Sequence, residues 1–339
     1  MKARALLLVV CACMIAPFAR ADTPPSVWDL AKDPKERARW ELHARVSQLL
    51  TSPRELSPRM RSLPADQARD LLEAADAANS PDVRLRFDLG RAYEQSDRHQ
   101  KAIDVLQPAV DSAPSHPGAA DALLALAYAY AKLDKPRGER DAYKRYLRIV
   151  TTDGARATAT LNLAEAEMRL GNLPDAVFGY GEALDQATRI ASMSGGSLTA
   201  VLGVWGLAVA LDRSGDPVGA AKEAKLANQL DPGQRVIGDT TTGQVFFEPR
   251  HERFWYTALG AQEEARATAD PRGALRLWRV AYERWTAYIT GAERHTSEFP
   301  DWLPLARAHQ ASAKKELAAA ERRAARAPKP PPSLIDVDE

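Results

Sequence analysis

Residues 89–114 read LGRAYEQSDRHQKAIDVLQPAVDSAP, and the spacing inside this stretch decides the fold. Leu89, Gly90 and Tyr93 fall within about one helical turn and lie on one face of a helix. After a polar break, Ala102, Leu106 and Ala109 return at helical spacing and mark the inner face of a second helix. The two alanines allow a close approach of the helices, and Leu106 fills the space between them. Pro114 has no N–H to give and clashes with the preceding turn, so it ends the second helix. Counted from Leu89, these positions stand at 0, 1, 4, 13, 17, 20 and 25.

The same offsets recur downstream. Leu163-Ala164, Glu167, Ala176, Tyr180 and Ala183 repeat them around a turn at Gly171-Asn172, with Glu167 in place of an aromatic or apolar residue. Leu207-Ala208, Leu211, Ala220, Ala224, Ala227 and Pro232 repeat them around Gly215-Asp216. A looser copy begins at Leu126-Ala127 and Tyr130. It aligns Ala142 and Tyr146 only if its turn is three residues longer, an extension that Lys135-Pro136-Arg137-Gly138 would supply. Ala68, Leu72 and Ala75 keep the second-helix spacing, with a first helix at Trp40 to Leu50. Trp255, Leu259-Gly260, Ala274, Trp278 and Ala281 read as a further copy with a longer turn, and Leu303 to Arg326 as one helix that caps the array. Terminal copies diverge because one of their faces meets water.

This pattern resembles the tetratricopeptide repeat, a two-helix unit of about 34 residues, over residues 34–326 and most closely over 83–232. The resemblance implies an all-α, right-handed superhelical solenoid of five to six antiparallel helix pairs. Residues 22–82 form N-terminal helices, 83–232 the core array, and 250–326 a degenerate repeat with its capping helix. Residues 233–249, bounded by glycines and rich in Thr, Val and Phe, predict an inserted loop or short β-hairpin. Residues 327–339 predict an extended, Pro-rich tail with an acidic end.

Composition agrees and excludes. Hydrophobic residues make up 45% of the chain, enough to fill a core, and a formal net charge of +1 speaks against nucleic-acid binding. The first 21 residues read as a secretory signal peptide: Lys2 and Arg4, an apolar run from Ala5 to Ala16, and a cleavage site at Ala19-Arg20-Ala21. A periplasmic or exported protein is therefore expected, with no membrane insertion after cleavage. Both cysteines, Cys11 and Cys13, lie in this segment, so residues 22–339 hold no disulfide, thiolate nucleophile or Cys metal ligand. Val10-Cys11-Ala12-Cys13 loosely resembles a lipobox, which leaves an outer-membrane lipoprotein anchored through Cys13 as the alternative.

No catalytic, cofactor or metal site is legible. Gly233 to Gly238 has the first spacing of a phosphate loop, but Asp239 stands where lysine is required. The six histidines, at 43, 99, 116, 251, 295 and 309, show no metal-ligand spacing and read as solvated surface residues. The carboxylates read as solvated or paired along helix surfaces.

The resemblance instead implies a concave groove that binds other proteins or peptides, lined by the first helix of each unit. It assigns to that groove Arg84, Phe87 and Arg91, then Tyr128 and Lys132, then Asn162 and Arg169, and last Leu202, Trp205 and Val209. Val201 to Leu211 is apolar all around and must be buried on both sides. Either a partner covers Leu202, Trp205 and Val209, or the 233–249 segment does so through Val245, Phe246 and Phe247. Trp255, Trp278, Trp285 and Trp302 are expected between the last helices. The role that follows is a scaffold or adaptor in a cell-envelope assembly, with a lipoprotein subunit of such an assembly, or an enzyme's regulatory subunit, as alternatives.

Overall fold

A computed structural model describes residues 26, 32–51, 58–194, 198–238, 246–295 and 301–328. The signal-peptide reading of 1–21, both cysteines, Val245 and all but the start of the 327–339 tail lie outside them. The described residues form helices α1 (Pro34–Leu50), α2 (Pro58–Ala74), α3 (Val83–Gln95), α4 (His99–Ser112), α5 (Ala119–Lys132), α6 (Pro136–Leu147) and α7 (Asp153–Arg169). They continue with α8 (Leu173–Ser194), α9 (Leu198–Arg213), α10 (Pro217–Leu230), the single turn α11 (Arg235–Gly238), α12 (Arg253–Ala267), α13 (Pro271–Glu293) and α14 (Leu303–Arg326). Apart from the single turn α11, each helix packs on the next, α10 on α12 included, giving six antiparallel pairs and a capping helix, the tetratricopeptide-like solenoid expected from the spacing. No strand occurs among the described residues. Of the insert, the described residues hold α11 and a turn at Phe246-Phe247 that leads into α12, and residues 239–245, where a hairpin would turn, lie outside them.

One cap repeats through the array. At the end of α3, α5, α7 and α9 a residue enters the left-handed region: Asp97, Asp134, Gly171 and Gly215. The next amide reaches back to the carbonyls of Tyr93, Tyr130, Glu167 and Leu211 at 2.8–2.9 Å. This closes four otherwise unpaired helix ends in the same way. Glycine takes the conformation freely, and Asp tolerates it. The turn within each of these pairs, and that between α12 and α13, is three residues long.

That constancy corrects the reading of two copies. The α5–α6 turn is not extended. Counted from Leu126, the second-helix positions fall on Glu139, Tyr143 and Tyr146, all buried, rather than on Ala142 and Tyr146. Glu139 thus occupies the small apolar position held elsewhere by Ala102, Ala176 and Ala220. Likewise the α12–α13 turn is not long, and Ala261 rather than Leu259 stands in register with Ala274, Trp278 and Ala281.

The core divides in two. One apolar cluster runs from Val46 to Ala159, the other from Leu161 to Ala320, so the boundary crosses α7. The first helices of successive pairs touch at α1–α3, α3–α5, α7–α9 and α9–α12, whereas α5 and α7 barely approach. Across this gap the array is continuous through α6 packing on α7.

Candidate functional site

Buried polar side chains link α7 to α6, to the turn after α5, and to α8 and α12. Arg169, at the end of α7, is buried and donates from Nη1 to Glu139 at 2.8 Å and from Nη2 to Asp134. Asn162 donates to the Tyr143 hydroxyl at 3.0 Å. Glu165, fully buried, accepts from the hydroxyls of Tyr180 at 2.7 Å and Tyr256 at 2.9 Å. Beyond it, Arg213 at the end of α9 bonds to Glu252, which also accepts from the Tyr288 hydroxyl at 3.3 Å. The Arg213 guanidinium lies over the Trp255 ring at 4.4 Å, with Trp302 at 5.2 Å. Asp212 accepts from Trp255 Nε1 at 2.9 Å and lies 3.0 Å from His309, which stacks on Trp285.

Burial sets the electrostatics. It pushes the Glu139 carboxyl up to about 8, even though Arg169 favours the charged form, and pushes Glu165 up to about 7. Burial works on Glu252 the same way, but Arg213 and His251 outweigh it and hold that carboxyl below its ordinary value. Arg169 stays charged because Glu139, Asp134 and Glu165 offset the cost of its burial. His251 is pushed down by burial, and His43 is raised by its hydrogen bond to Asp88.

Segment 246–252 closes this region. The Phe246 ring meets those of Tyr180 at 6.3 Å, Tyr256 at 5.8 Å and Phe247 at 5.0 Å, edge to face. Glu248 pairs with Lys132, 116 residues earlier, and His295 at the end of α13 pairs with Asp134. The array therefore curls until the sixth pair meets the third, on the side formed by the first helices. A pocket of about 410 Å³ remains there, lined by Asp134, Arg169, Arg213, His251, Glu252 and Trp302 among others. No cluster of metal-ligating residues occurs among the described residues. No helix among them is long and apolar enough to cross a membrane.

The expected groove residues are brought together in separate groups. Arg84 bonds to Asp82 and Glu36 and covers the Trp40 ring at 4.0 Å. Phe87 is buried against His116. Arg91 bridges Asp88 at 3.7 Å and Asp121 at 4.0 Å, and with Tyr128 and Lys132 it keeps part of its surface in water. Asn162 and Arg169 belong to the polar layer. Leu202, Trp205 and Val209 are buried in the second cluster, which also holds Phe246, Phe247, Trp255 and Tyr256. Thus the chain itself buries this face of α9, which packs on α8, α10 and α12, with Trp205 against Gly260. Trp255, Trp278 and Trp285 are buried between the last helices as expected, and Trp302 partly so.

Two readings need correction. None of the six histidines is a freely solvated surface residue; all are partly buried. Nor are the carboxylates confined to helix surfaces, since Asp88, Glu139, Glu165, Glu167, Asp212 and Glu252 are buried. Glu167, the apparent defect in its repeat, reaches Lys144 and Asn172, both at 2.6 Å. The polar layer itself was missed, and its one legible trace was Asp134 at the position of Gly171 and Gly215.

No protein-family profile matches the sequence, and no curated protein is similar enough to count as a relative. Among solved structures, the chain is similar to a crystal structure of nearly identical TPR-like repeats from a protein described as a kinesin light chain of Podosopora anserina. That likeness has 18% identity, covers 69% of this chain and 96% of that one, and has a TM-score of 0.38. At that level it carries no argument, and the fold rests on the helix pairs and their caps.

Proposed function

We propose that this protein is a non-catalytic scaffold that holds a segment of another protein against the face formed by the first helices of its pairs. The observation that carries the reading is the division of that face. Segment 246–252 lies against Lys132 of α5, Tyr180 of α8, Arg213 at the end of α9 and Tyr256 of α12, whereas Arg91 of α3 and Tyr128 of α5 retain water-exposed surface between buried supports. A solenoid offers this kind of extended surface to a peptide or helix.

The signal-peptide pattern at 1–21 supports export to a periplasm, and with it a role in cell-envelope assembly. The mass of the processed N-terminus tests this: a chain starting at Asp22 fits the soluble form, and a lipid-modified Cys13 fits the anchored one.

Selection of a random peptide library on the purified protein tests the binding role. Enriched peptides should bind the parent and lose at least tenfold in affinity to Arg91→Glu and Tyr128→Ala. Enrichment of no peptide, or of peptides indifferent to both substitutions, would remove this reading.

A further inference from the structure

We infer that segment 246–252 is an intramolecular ligand, and that the surface beneath it takes from a partner a segment of the same chemistry: two adjacent aromatic residues followed by a carboxylate. This deepens the proposed function and rests on the reading of the first-helix face as a protein-binding surface.

Three features of the segment resemble a bound peptide more than a structural element. It is irregular from Phe246 to Pro249, yet it reaches four pairs: Lys132 on α5, Tyr180 on α8, Arg213 on α9 and Tyr256 on α12. Its anchors are those of an interface core. Two phenyl rings sit edge to face on two tyrosines, both held by Glu165, and a carboxylate at the rim meets a lysine. The helices below also have contacts that do not depend on it, since α7, α8, α9, α10 and α12 pack directly on their neighbours.

The fit is moreover incomplete in its polar part. Arg213 uses Nη2 on Glu252, but among the described residues its buried Nε and Nη1 have no hydrogen-bond partner, and neither has Glu165 Oε1. Unpaired buried polar atoms are costly. A segment arriving from another chain, free of the tether to α12, has room to satisfy these atoms as well as the aromatic sites. The adjoining pocket of about 410 Å³ is where the rest of such a segment would run.

The test uses a labelled peptide, Gly-Gln-Val-Phe-Phe-Glu-Pro-Arg, which repeats residues 243–250. Fluorescence anisotropy reports its binding to the parent and to Phe246→Ala/Phe247→Ala, in which the internal anchors are gone. Binding at least tenfold tighter to the double variant is expected. Replacing the peptide's glutamate by lysine should abolish binding, and Lys132→Glu in the protein should restore it. No binding to a double variant that keeps its helical circular dichroism overturns the inference.

Hydrogen exchange on the parent covers the case in which that variant does not fold. Amides of 246–252 should exchange at least tenfold faster than those of α9, through local opening. Equally slow exchange of both makes the segment a fixed part of the core and also overturns the inference. If this peptide fails while library peptides still bind the α3–α5 surface, only the present inference falls. If neither binds, the proposed function falls with it.

Discussion

Two glycines on neighbouring helices should respond in opposite directions to the same substitution. A Cβ at Gly206 of α9 would lie 2.2 Å from Cε1 of Tyr180, 2.5 Å from Cζ and 2.8 Å from Cδ1. Carbon atoms in good contact stand about 3.5–4.0 Å apart, so the overlap is about 1 Å along a ring edge. Tyr180 has nowhere to go. It is fully buried, its hydroxyl is held by Glu165 at 2.7 Å, and Phe246 closes another side. Overpacking of this kind costs about 1–3 kcal/mol, and the rigid surroundings place Gly206→Ala at the upper end. Alanine recovers about 0.5–1 kcal/mol over glycine within a helix, which leaves a net loss near 2 kcal/mol. At Gly181 of α8 the added Cβ meets nothing within 4 Å, so Gly181→Ala shows only the gain. Urea unfolding followed by circular dichroism should therefore place the midpoints of the two variants on opposite sides of the parent, about 3 kcal/mol apart. A Gly206→Ala protein as stable as the parent would refute the packing around Tyr180, and with it the placement of α9 against α8.

Trp205 is fully buried, so Trp205→Ala should cost about 3–5 kcal/mol in the same unfolding experiment. A triple alanine variant at Leu202, Trp205 and Val209 should lose cooperative unfolding, and a triple variant as stable as the parent would mean that this face is not core. Arg213→Met leaves Glu252 buried without its guanidinium and should cost about 3–5 kcal/mol. It should also change the fluorescence of the flanking Trp255 and Trp302, and an unchanged spectrum would show that the guanidinium does not lie between them. The pH dependence follows from Glu165, which titrates at about 7 when folded against an ordinary 4.5. Between those values the folded chain holds a proton that the unfolded chain has released, so this group's contribution falls as pH rises from about 4.5 to 7 and is constant outside that window. Glu139 acts in the same direction up to about 8. Glu165→Gln should therefore flatten the decline in stability between pH 5 and 7 relative to the parent, and identical slopes would rule out the raised titration.

The helix pairs were legible because close packing of helices demands small residues at fixed spacing, and Ala102, Ala109, Ala176, Ala183, Ala220 and Ala227 supply them. The same rule misled where a repeat breaks it. With Glu139 at the small position, the nearest alanine, Ala142, drew the alignment off by three residues and called for a turn extension that does not exist. Asp134, eight residues after Leu126 as Asp97, Gly171 and Gly215 follow Leu89, Leu163 and Leu207, is the sequence signal for an unextended turn. The candidate site was far less legible, because its pairs are remote in sequence. Arg169 meets Glu139 across 30 residues, Arg213 meets Glu252 across 39, and His295 meets Asp134 across 161. No local spacing encodes such partners, so their carboxylates looked like ordinary helix-surface charges.

The position of the polar layer suggests what it does for the molecule. A solenoid whose neighbouring pairs meet only through alanine and leucine can slide by small steps at little cost, since apolar contact is non-directional. Here the first helices α5 and α7 are not in close contact, and that junction could vary most in curvature. It is also where Arg169 takes carboxylates from Asp134 and Glu139, where Asn162 reaches Tyr143, and where Lys132 and Asp134 receive Glu248 and His295 from the far end of the array. Each bond has one good geometry, and a displaced arrangement would leave a buried charge without its partner, a loss of several kcal/mol. The layer therefore gains little in stability over an apolar junction of the same volume but fixes one curvature. If that is its role, replacing Glu139 and Arg169 together by Ala and Met should leave the urea midpoint within about 1–2 kcal/mol of the parent while broadening the particle dimensions seen by small-angle scattering. Unchanged dimensions in a stably folded double variant would show that the apolar contacts between α6 and α7 set the curvature by themselves.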